Sequence, residues 1–490
     1  MTRAKLMLVV IDALAPALLE RTVAAGRAPI LGRLMAEGVY VDQCVASFPS
    51  VTPACAATIA TGAAVDEHGV PSINWYHRAE RRYVEYGSSF QATRAFGVVR
   101  SLTDTVYNLN AAHLAPGTAT IFETLDDAGV RTAGTTYLVY RGRHRHEVSA
   151  ETALARIATA TVFRAGVWGP RELFYADIFA SRRTGCRSQL GLPGLRDQHS
   201  GCVGAHLVSN DLCDFMLLSL PDNDTHSHRY GPHAQVSSIA AADRQLERVM
   251  HAAGGPDAFL DEHAVIVLGD HSQSAVASRI ALAEELSDFR ILRPGDPRPN
   301  EAEIAVSPGA RAAMVYVLDR MRPLELTDQL EQRARAVEGV DLVMRMRDSE
   351  AAVWSARGEL RFAPGGEFCD LRGARWSVEG AYEVLDLTAA DGLLESAAYP
   401  DALARIWAAL RCENAGEVLL SAAPGYEFVD WGGADHVGGG SHGSLHAIDS
   451  HTALICHGAG APAADARPQW SLRDIAPMVL EHFGVVGGMS

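Results

Sequence analysis

The stretch Leu-Met-Leu-Val-Val-Ile-Asp at residues 6–12 is an unbroken apolar run of strand length that ends on a carboxylate. Similar apolar-rich runs occur at residues 214–220, 263–269 and 453–456. Runs without polar alternation are typical of parallel strands that are covered on both faces. The chain is therefore expected to adopt an α/β fold in which helices sandwich a mostly parallel sheet.

The segments between these runs predict an alternation of helices and strands. Helical patterns extend up to about residue 37 and recur at 53–61, 119–129, 234–253 and 472–483, while 38–41 and 131–140 read as further extended segments. The segment 234–253 has the length that a crossover helix between two parallel strands needs.

Two segments interrupt this alternation. Residues 141–205 are irregular, with an Arg/His-rich start and several glycines, and are expected to form a partial cap. Residues 281–430 contain more Arg, Glu and Pro and fewer long apolar runs, which indicates an insertion or a smaller α+β subdomain. The catalytic core is then assigned to residues 1–280 and 431–490, a division that suits a chain of 490 residues.

The charge balance restricts the partners. Lys and Arg number 43 against 59 Asp and Glu, which gives a net charge of −16. Such a field disfavours sequence-independent binding to nucleic acid polymers and to anionic membranes, because both need clustered positive charge. A small molecule is the expected partner.

The amino-terminal sequence and the cysteines predict the compartment. The apolar stretch before Asp12 is too short for a signal peptide, and no run reaches the roughly 18 residues of a membrane-spanning helix. The eight cysteines form no C-x-x-C pair and are expected to be reduced and mostly buried. These features predict a cytoplasmic enzyme.

Residue types that bind metals stand beside the strand candidates. Four of these strands end in possible ligands, namely Asp12, Asp224 with His228, Asp270 with His271, and His442. In open α/β sheets ligands collect beyond the carboxyl ends of the strands, so these side chains are expected to converge. Each has a simpler reading, as a helix cap (Asp12), a polar loop (Asp224 and His228) or a flexible turn (His442). Their occurrence together favours a metal centre.

The chemistry of these side chains suits zinc. Imidazole nitrogen and carboxylate oxygen both bind it, and three Asp with three His divide into two sites. Two metals about 3.5–4 Å apart can clamp the attacking and leaving oxygens of an in-line displacement. The sequence therefore predicts two Zn²⁺ per chain, with other divalent metals as alternatives.

A threonine stands where such a centre needs a nucleophile. In the segment 48–62, Thr52 followed by Pro53 reads as an N-cap with proline at the first helical position, and Gly62 reads as the helix stop. A hydroxyl at a helix N-terminus would face a phosphoryl group, and a metal bound to it would make an alkoxide nucleophile. A plain N-cap threonine is the alternative.

These motifs together resemble the nucleotide pyrophosphatase/phosphodiesterase family of the alkaline phosphatase superfamily. The matching motifs are Asp12 after a strand, Phe48-Pro49-x-x-Thr52 with Thr61-Gly62 and His68-Gly69, then Pro221-Asp222-Asn223-Asp224 with His228 and Tyr230-Gly231-Pro232, then Asp270-His271, and finally Gly440-Ser441-His442-Gly443. Their order and spacing agree with the family, and they span residues 7–457. The resemblance implies an alkaline-phosphatase-like fold.

The resemblance also implies the division of the ligands. One zinc would be held by Asp224, His228 and His442, and the second by Asp12, Asp270 and His271 together with the Thr52 oxygen. The family has an asparagine about twenty residues after the nucleophile that donates to a phosphoryl oxygen, and Asn74 matches it with one inserted residue.

This sequence departs from the family pattern at two places. The family's Phe-Pro-Asn-His after the nucleophile is replaced by Pro53-Ala54-Cys55-Ala56. In addition, Asp222 and His226 form a rival pair at the spacing of Asp224 and His228, and the Tyr-Gly-Pro that follows favours the latter pair.

The implied function is hydrolysis of phosphodiester or pyrophosphate bonds in small nucleotide-like phosphoesters, through a covalent phospho-threonine. A phosphomonoesterase or phosphonate hydrolase of the same superfamily is one alternative, and a catalytically silent metal-binding scaffold is another, which the retained Thr52 argues against. Diesters are favoured over monoesters because no Arg or Lys between Arg33 and Arg78 can neutralise the additional charge of a monoester. The second organic group of a diester would lie against Trp75, Tyr76 or the cap.

Overall fold

The structure, a computed structural model, describes residues 5–149, 156–158, 162–296 and 298–485. Parts of the predicted cap (150–155 and 159–161), one residue of the predicted insertion (297) and the chain ends lie outside the described residues. The framework is a nine-stranded central sheet whose strands, in spatial order, are Trp470–Ser471, Val39–Val45, His451–His457, His263–Leu268, Lys5–Ile11, Phe215–Leu220, Thr132–Thr135, Glu172–Tyr175 and Phe179–Ala180.

The strand Lys5–Ile11 lies in the middle of the central sheet. It pairs in parallel with Phe215–Leu220 on one side and with His263–Leu268 on the other. Its alternate side chains, such as Leu8 and Val9, belong to two different apolar clusters on the two faces of the sheet. Burial on both faces explains why the run carries no polar residue.

Helices cover both faces, which confirms the predicted α/β fold. The α-helices are Pro16–Ala24, Pro29–Glu37, Thr52–Thr61, Val65–His68, Phe90–Phe96, Val98–Thr103, Ile121–Asp127, Arg196–Ser209, Asp222–Tyr230, Gln235–His251, Pro256–Glu262, Leu282–Glu285, Pro323–Arg335, Ala402–Arg411, Ala447–Ser450 and Ile475–His482, and a π-helix spans Asp104–His113. The helical pattern predicted up to residue 37 forms two helices, because Gly26 at φ +68° ends the first and Pro29 begins the second. Within the described ranges, no helix is long and apolar enough to cross a membrane.

A second sheet of ten strands is built from residues 291–422. Its strands, in spatial order, are Ile291–Leu292, Ile304–Gly309, Ala312–Val317, Val418–Ala422, Val340–Arg347, Glu350–Ser355, Gly358–Asp370, Leu393–Ser396 and Leu387–Ala390, and Arg375–Gly380 pairs with Gly358–Asp370. The two sheets share one apolar cluster, which contains Leu8 of the central sheet and Met314 and Val353 of the second. The boundaries predicted at 281 and 430 stay a prediction.

The segment predicted as a partial cap is joined to the central sheet. Its strand Glu172–Tyr175 extends that sheet in parallel, and its strands His144–His146 and Val167–Gly169 form a separate hairpin-like pair. A disulfide joins Cys186 to Cys202 of helix Arg196–Ser209. The expectation that all eight cysteines are reduced is therefore wrong for these two. The other six are free thiols, and five of those are buried.

Candidate active site

The carboxyl ends of the parallel strands meet at one edge of the central sheet. Asp12 directly follows the strand Lys5–Ile11, and Asp270 and His271 come two and three residues after His263–Leu268. After the neighbouring strand Phe215–Leu220 the chain enters helix Asp222–Tyr230, which carries the second motif. Residues four apart on a helix share a face, so Asp224 and His228 project together.

His442 reaches the same edge by a different route. It stands in the loop before His451–His457, which is antiparallel to His263–Leu268 and therefore begins at the edge where its neighbour ends. The short strand Gly440–Ser441 pairs with Ser274–Ala275 and fixes this loop beside the third motif. The expectation that His442 ends a strand of the central sheet is corrected, since it precedes one.

The first ligand cluster consists of Asp224, His228 and His442. Nε2 of His228 lies 3.4 Å from Asp224 Oδ2, and Nε2 of His442 lies 3.7 Å from Asp224 Oδ1. The potential ligand atoms of the three side chains all lie within 4.8 Å of one another. This spacing leaves room for one cation between them.

The second ligand cluster consists of Asp12, Asp270 and His271. Nε2 of His271 lies 3.6 Å from Asp12 Oδ1 and 3.5 Å from Asp270 Oδ2. Asp270 Oδ1 accepts the backbone N–H groups of Ala13 and His271, so its orientation is fixed. The rings of His271 and His442 stack with centroids 3.8 Å apart and bring the two clusters side by side.

The three histidines are oriented by backbone carbonyls. Nδ1 of His228 lies 2.8 Å from the Gly440 carbonyl oxygen and Nδ1 of His442 2.8 Å from that of Ser50. Nδ1 of His271 lies 3.2 Å from the Ser272 carbonyl oxygen. Because a carbonyl only accepts, each Nδ1 carries the hydrogen and each Nε2 presents a lone pair to its cluster.

The electrostatics of the clusters favour a cation. Burial raises the pKa of Asp12 well above its ordinary value, and the nearby charges of Asp270 and Asp224 raise it further. Burial would also raise the pKa of Asp224, but the imidazoles of His228 and His442 lower it to about 2. Among the described residues Asp12 Oδ1 finds no hydrogen-bond donor although it is buried. A divalent metal would supply the missing partner, so the donor set fits one metal in each cluster.

Thr52 lies against the second cluster. The N-cap of helix Thr52–Thr61 is Val51, so the prediction that Thr52 is the N-cap is off by one residue. Thr52 is the first residue of the helix, and its Oγ1 lies 3.2 Å from Nε2 of His271. Gly62 ends the helix in the left-handed conformation at φ 72°, as predicted.

A cavity of about 690 Å³ opens over the two clusters and Thr52. Its polar floor contains Asp12, Thr52, Asp224, His228 and Asp270 with His442. We call the apolar part of the lining the cavity wall, and its members include Phe90, Leu102, Val106, Leu138, Phe163, Tyr175, Ile178 and Leu190. Four of these, Phe163, Tyr175, Ile178 and Leu190, belong to the segment 141–205, so part of that segment lines the cavity.

Trp75 and Tyr76 do not line the cavity. The Trp75 ring is buried and packs edge-on against His113, and Tyr76 contacts the rings of Tyr83 and Tyr316. These two aromatic side chains are therefore not placed to hold the second organic group of a diester in this cavity. They are core residues.

Asn74 is turned away from this cavity. Its Nδ2 donates to the Val84 carbonyl oxygen at 3.0 Å and to Glu85 Oε2 at 3.1 Å, and it is not among the residues that line the cavity. Its predicted hydrogen bond to a phosphoryl oxygen would require the amide to leave both partners. That role stays a prediction.

The rival pair Asp222 and His226 has other partners. Asp222 accepts hydrogen bonds from Arg196 Nε at 2.9 Å and from the Gly194 N–H at 2.8 Å. His226 Nε2 lies 3.1 Å from the hydroxyl of Ser237. Neither side chain belongs to the candidate metal-binding groups of the described residues.

Several residues that support the ligands were not singled out from the sequence. Asn223 donates to the Asp12 carbonyl oxygen at 2.7 Å and so joins the first motif to the second. The Gln273 amide donates to the Asp224 carboxylate and joins the third motif to the second. Both stand within two residues of a ligand, which is the only signal that could have found them.

His436 supports the first cluster from outside. Its ring contacts that of His228 with centroids 4.1 Å apart, and its Nδ1 lies 2.7 Å from Glu427 Oε1. Burial would lower the pKa of His436, but the hydrogen bond to Glu427 raises it above its ordinary value. His436 therefore lies beside a predicted ligand without belonging to either cluster.

Comparison with known proteins identifies the family. Residues 6–445 match the type I phosphodiesterase / nucleotide pyrophosphatase family. No curated protein sequence matches the chain. Similar solved structures include phosphonoacetate hydrolase from Sinorhizobium meliloti 1021 in complex with phosphonoformate, with 16% identity, TM-score 0.54 and coverage of 98% of this chain and 96% of that one.

Another similar structure is murine ectonucleotide pyrophosphatase / phosphodiesterase 5 in complex with AMP, with 13% identity, TM-score 0.56 and coverage of 98% and 94% of the two chains. At such identities these likenesses establish the alkaline-phosphatase-like fold. The match to the family covers most of the chain, and the protein therefore belongs to the type I phosphodiesterase / nucleotide pyrophosphatase family.

Proposed function

We propose that the protein is a zinc-dependent hydrolase that cleaves phosphodiester or pyrophosphate bonds through a covalent phospho-threonine at Thr52. The observation that carries the proposal is the position of the Thr52 hydroxyl, which stands on the first residue of its helix and lies 3.2 Å from Nε2 of His271. A nucleophile at the edge of two adjacent clusters of Asp and His is the arrangement that in-line phosphoryl transfer requires.

The residues divide into two ligand sets. Asp224, His228 and His442 would hold one zinc, and Asp12, Asp270 and His271 would hold the second. When bound, the two metals lower the pKa of the Thr52 hydroxyl and neutralise charge on the phosphoryl oxygens. The N-terminus of helix Thr52–Thr61 adds the positive end of its dipole at the same point.

The reaction then runs in two displacements at phosphorus. In the first, Thr52 Oγ1 forms a bond to phosphorus while the bond from phosphorus to the leaving oxygen breaks, and the proton of the hydroxyl is released to solvent, from which the leaving oxygen takes one. In the second, the oxygen of water forms a bond to phosphorus and the bond to Oγ1 breaks, and one proton of that water restores the hydroxyl of Thr52. His271 keeps Nε2 beside Oγ1 because its Nδ1–H is committed to the Ser272 carbonyl.

The charge of the cavity supports diesters over monoesters. Arg196 is the only arginine among the described residues that line the cavity, and its Nε donates to Asp222 at 2.9 Å. Arg141 and Arg143, at the Arg/His-rich start of the segment 141–205, pair with Glu123. The only lysine of the chain, Lys5, begins the strand whose other end carries Asp12. A monoester would therefore lack a free cation for its additional charge.

The wall of the cavity supports a substrate with an organic group on each side of phosphorus. Its apolar side chains line the same cavity as the polar floor and can bury such a group, which raises kcat when the contact strengthens in the transition state. A pyrophosphate substrate carries its second substituent through the distal phosphate and places it in the same space.

The test is a screen of the zinc-loaded protein against 4-nitrophenyl monoesters and diesters, nucleoside pyrophosphates and phosphonates. We expect diesters or pyrophosphates to have the highest kcat/KM and 4-nitrophenol to appear in a burst when the phospho-enzyme accumulates. Cleavage of a phosphonate with no diester turnover would move the protein to the phosphonate hydrolase alternative. Absence of turnover on all classes would contradict the proposal.

A further inference from the structure

An arginine of the second sheet is buried together with an aspartate of the core. Arg311 lies in the hairpin between the strands Ile304–Gly309 and Ala312–Val317, and Asp449 lies in the short helix Ala447–Ser450. Both side chains are fully buried. Nη1 of Arg311 lies 2.6 Å from Asp449 Oδ1 and 2.8 Å from Asp449 Oδ2. Two opposite charges so far from water persist only when their remaining hydrogen-bonding groups are also satisfied.

The guanidinium of Arg311 contacts several separate segments of the chain. Its Nε donates to the Tyr426 carbonyl oxygen at 3.0 Å and its Nη2 to the Ala423 carbonyl oxygen at 2.9 Å. Its Nη1 contacts the hydroxyl of Ser274 in addition to Asp449. The planar fork of arginine thus joins the end of the second sheet to the segment that follows His271.

The carboxylate of Asp449 reaches both ligand loops. Oδ2 accepts the N–H of Ser444 at 3.0 Å and its hydroxyl at 2.6 Å, and Oδ1 accepts the hydroxyl of Ser274 at 2.8 Å. Ser444 stands two residues after His442, and Ser274 stands three residues after His271. One carboxylate therefore holds the loop of a ligand from each cluster.

The hairpin also packs directly on the loop of His442. The backbone N–H of Arg311 donates to the His442 carbonyl oxygen at 2.8 Å. Gly443 is at φ +117°, and a Cβ there would lie 3.0 Å from the Arg311 nitrogen and 3.1 Å from the Gly309 carbonyl oxygen. The loop therefore has no space to shift toward the hairpin without displacing its backbone.

We propose that Arg311 and Asp449 are positioning residues that set the spacing between the two metal sites, an inference that rests on the proposed two-metal centre. They touch no potential metal-ligand atom and act through the backbone of the loops that carry His271 and His442. Since those two rings stack with centroids 3.8 Å apart, a small movement of either loop changes the separation of the sites. The second sheet supplies no predicted ligand, but through Arg311 it would hold the two loops at the spacing that a pair of metals needs.

The test uses Arg311→Lys, because lysine keeps the charge beside Asp449 but lacks the planar fork that reaches Ser274 and the two carbonyls together. The control is Arg345→Lys, a buried arginine of the same sheet that pairs with Asp328 at 2.7 Å and with Glu331 at 2.9 Å. Both changes remove one guanidinium from a buried ion pair. Only the first lies beside the ligand loops.

Each full-length protein is loaded with Mn²⁺, its two binding constants are measured, and the spin coupling between the two ions is recorded by electron paramagnetic resonance. We expect Arg311→Lys to weaken one binding constant about tenfold and to change the coupled signal, while Arg345→Lys leaves both unchanged even where both variants melt at lower temperature. Unchanged constants and signal in Arg311→Lys, or equal changes in the control, would overturn the inference.

Asp449→Asn is a second variant that keeps the shape of the side chain and its acceptor oxygen while removing its charge. The same weakening of one site is expected, and wild-type Mn²⁺ binding in this variant would also contradict the proposed role. A wild-type protein that binds two ions with coupled spins but hydrolyses no phosphoester would refute the proposed function alone. A wild-type protein that binds no pair of ions would refute both.

Discussion

The floor and the wall of the cavity are built in opposite ways. On the floor, all the predicted ligand side chains except Asp12 are held by a further hydrogen bond, such as Nδ1 of His442 to the Ser50 carbonyl or the carboxylate of Asp270 to two backbone N–H groups. On the wall, the contacts are apolar and come from separate segments of the chain. The floor needs one precise arrangement of its side chains for the reaction, whereas the wall can accept different apolar side chains that fill the same space.

We therefore expect the floor to control the rate of turnover and the wall to control the choice of substrate. Substitutions on the floor should lower turnover of every substrate by a large factor, because they remove groups that the transition state needs. Substitutions on the wall should change the ranking of substrates by a small factor. Four predictions, in order of decreasing effect, test this division.

The largest effect is expected at Thr52. Thr52→Ala should lower kcat by at least roughly 10³-fold, because no other hydroxyl replaces the nucleophile. The metal content should remain near that of the wild type, since the six Asp and His ligands are intact. Thr52→Ser should retain measurable turnover. Activity of the alanine variant close to that of the wild type would show that Thr52 is not the nucleophile.

The second effect is expected on the metals. Elemental analysis should find about two zinc equivalents per chain, and chelation should abolish activity that added zinc restores. His442→Ala or Asp270→Asn should lower occupancy by weakening one site. His446→Ala is the matched control, because His446 stands four residues later and its Nδ1 accepts the Ile448 N–H. Full occupancy and activity in His442→Ala would show that the first cluster is not a metal site.

The same contrast explains what could be predicted from the sequence. Asp and His are typical zinc ligands, so single letters beside the apolar runs were enough to propose Asp12, Asp270 and His442, and the structure places all three in the two adjacent clusters. Their binding of metal stays a prediction. The central sheet was predicted equally well, because burial on both faces leaves an unbroken apolar run, as in Lys5–Ile11.

The wall and its neighbours could not be predicted in this way. Phe163 and Leu190 have the composition of any core residue, and only the fold places them over Thr52. Arg196, Asn223 and Gln273 act through hydrogen bonds between segments that are distant along the chain, which leave no local pattern. The disulfide of Cys186 was missed because its partner is set by packing of the helix that carries it.

The third effect concerns the charge of the substrate. With 4-nitrophenyl esters at one pH, kcat/KM for a diester should exceed that for the matching monoester by about tenfold or more, because the floor offers no free cation for the second charge. The rates measured with Thr52→Ala on the same esters are subtracted as the background that does not depend on Thr52. A monoester favoured tenfold would place the protein on the phosphatase side of the superfamily.

The smallest effect is expected on the wall. The Phe90 side chain lines the cavity and is 75% exposed, so Phe90→Ala should leave stability within about 0.5 kcal/mol of the wild type. It should lower kcat/KM about threefold to tenfold for a diester with two aryl groups and little for one with a methyl group. Trp168→Ala is the matched control, because Trp168 is 59% exposed and does not line the cavity. Equal losses of kcat/KM on both diesters would contradict this prediction, because they would show that Phe90 affects turnover in general and not the choice of substrate.

The pairing of the strand Val39–Val45 has a consequence for the order in which the enzyme is made. Among the described residues this strand pairs only with His451–His457 and Trp470–Ser471. The segment between it and Thr52 is held by the same part of the chain, since the Ser50 hydroxyl donates to the Ser444 carbonyl across 394 positions. We therefore expect Thr52 to dock beside His271 during synthesis only after residues near 457 have left the ribosome, because contacts so distant along the chain form slowly. We expect nascent chains that stop before this point to be inactive, however complete their sheet, so that catalysis begins with the last strands to emerge.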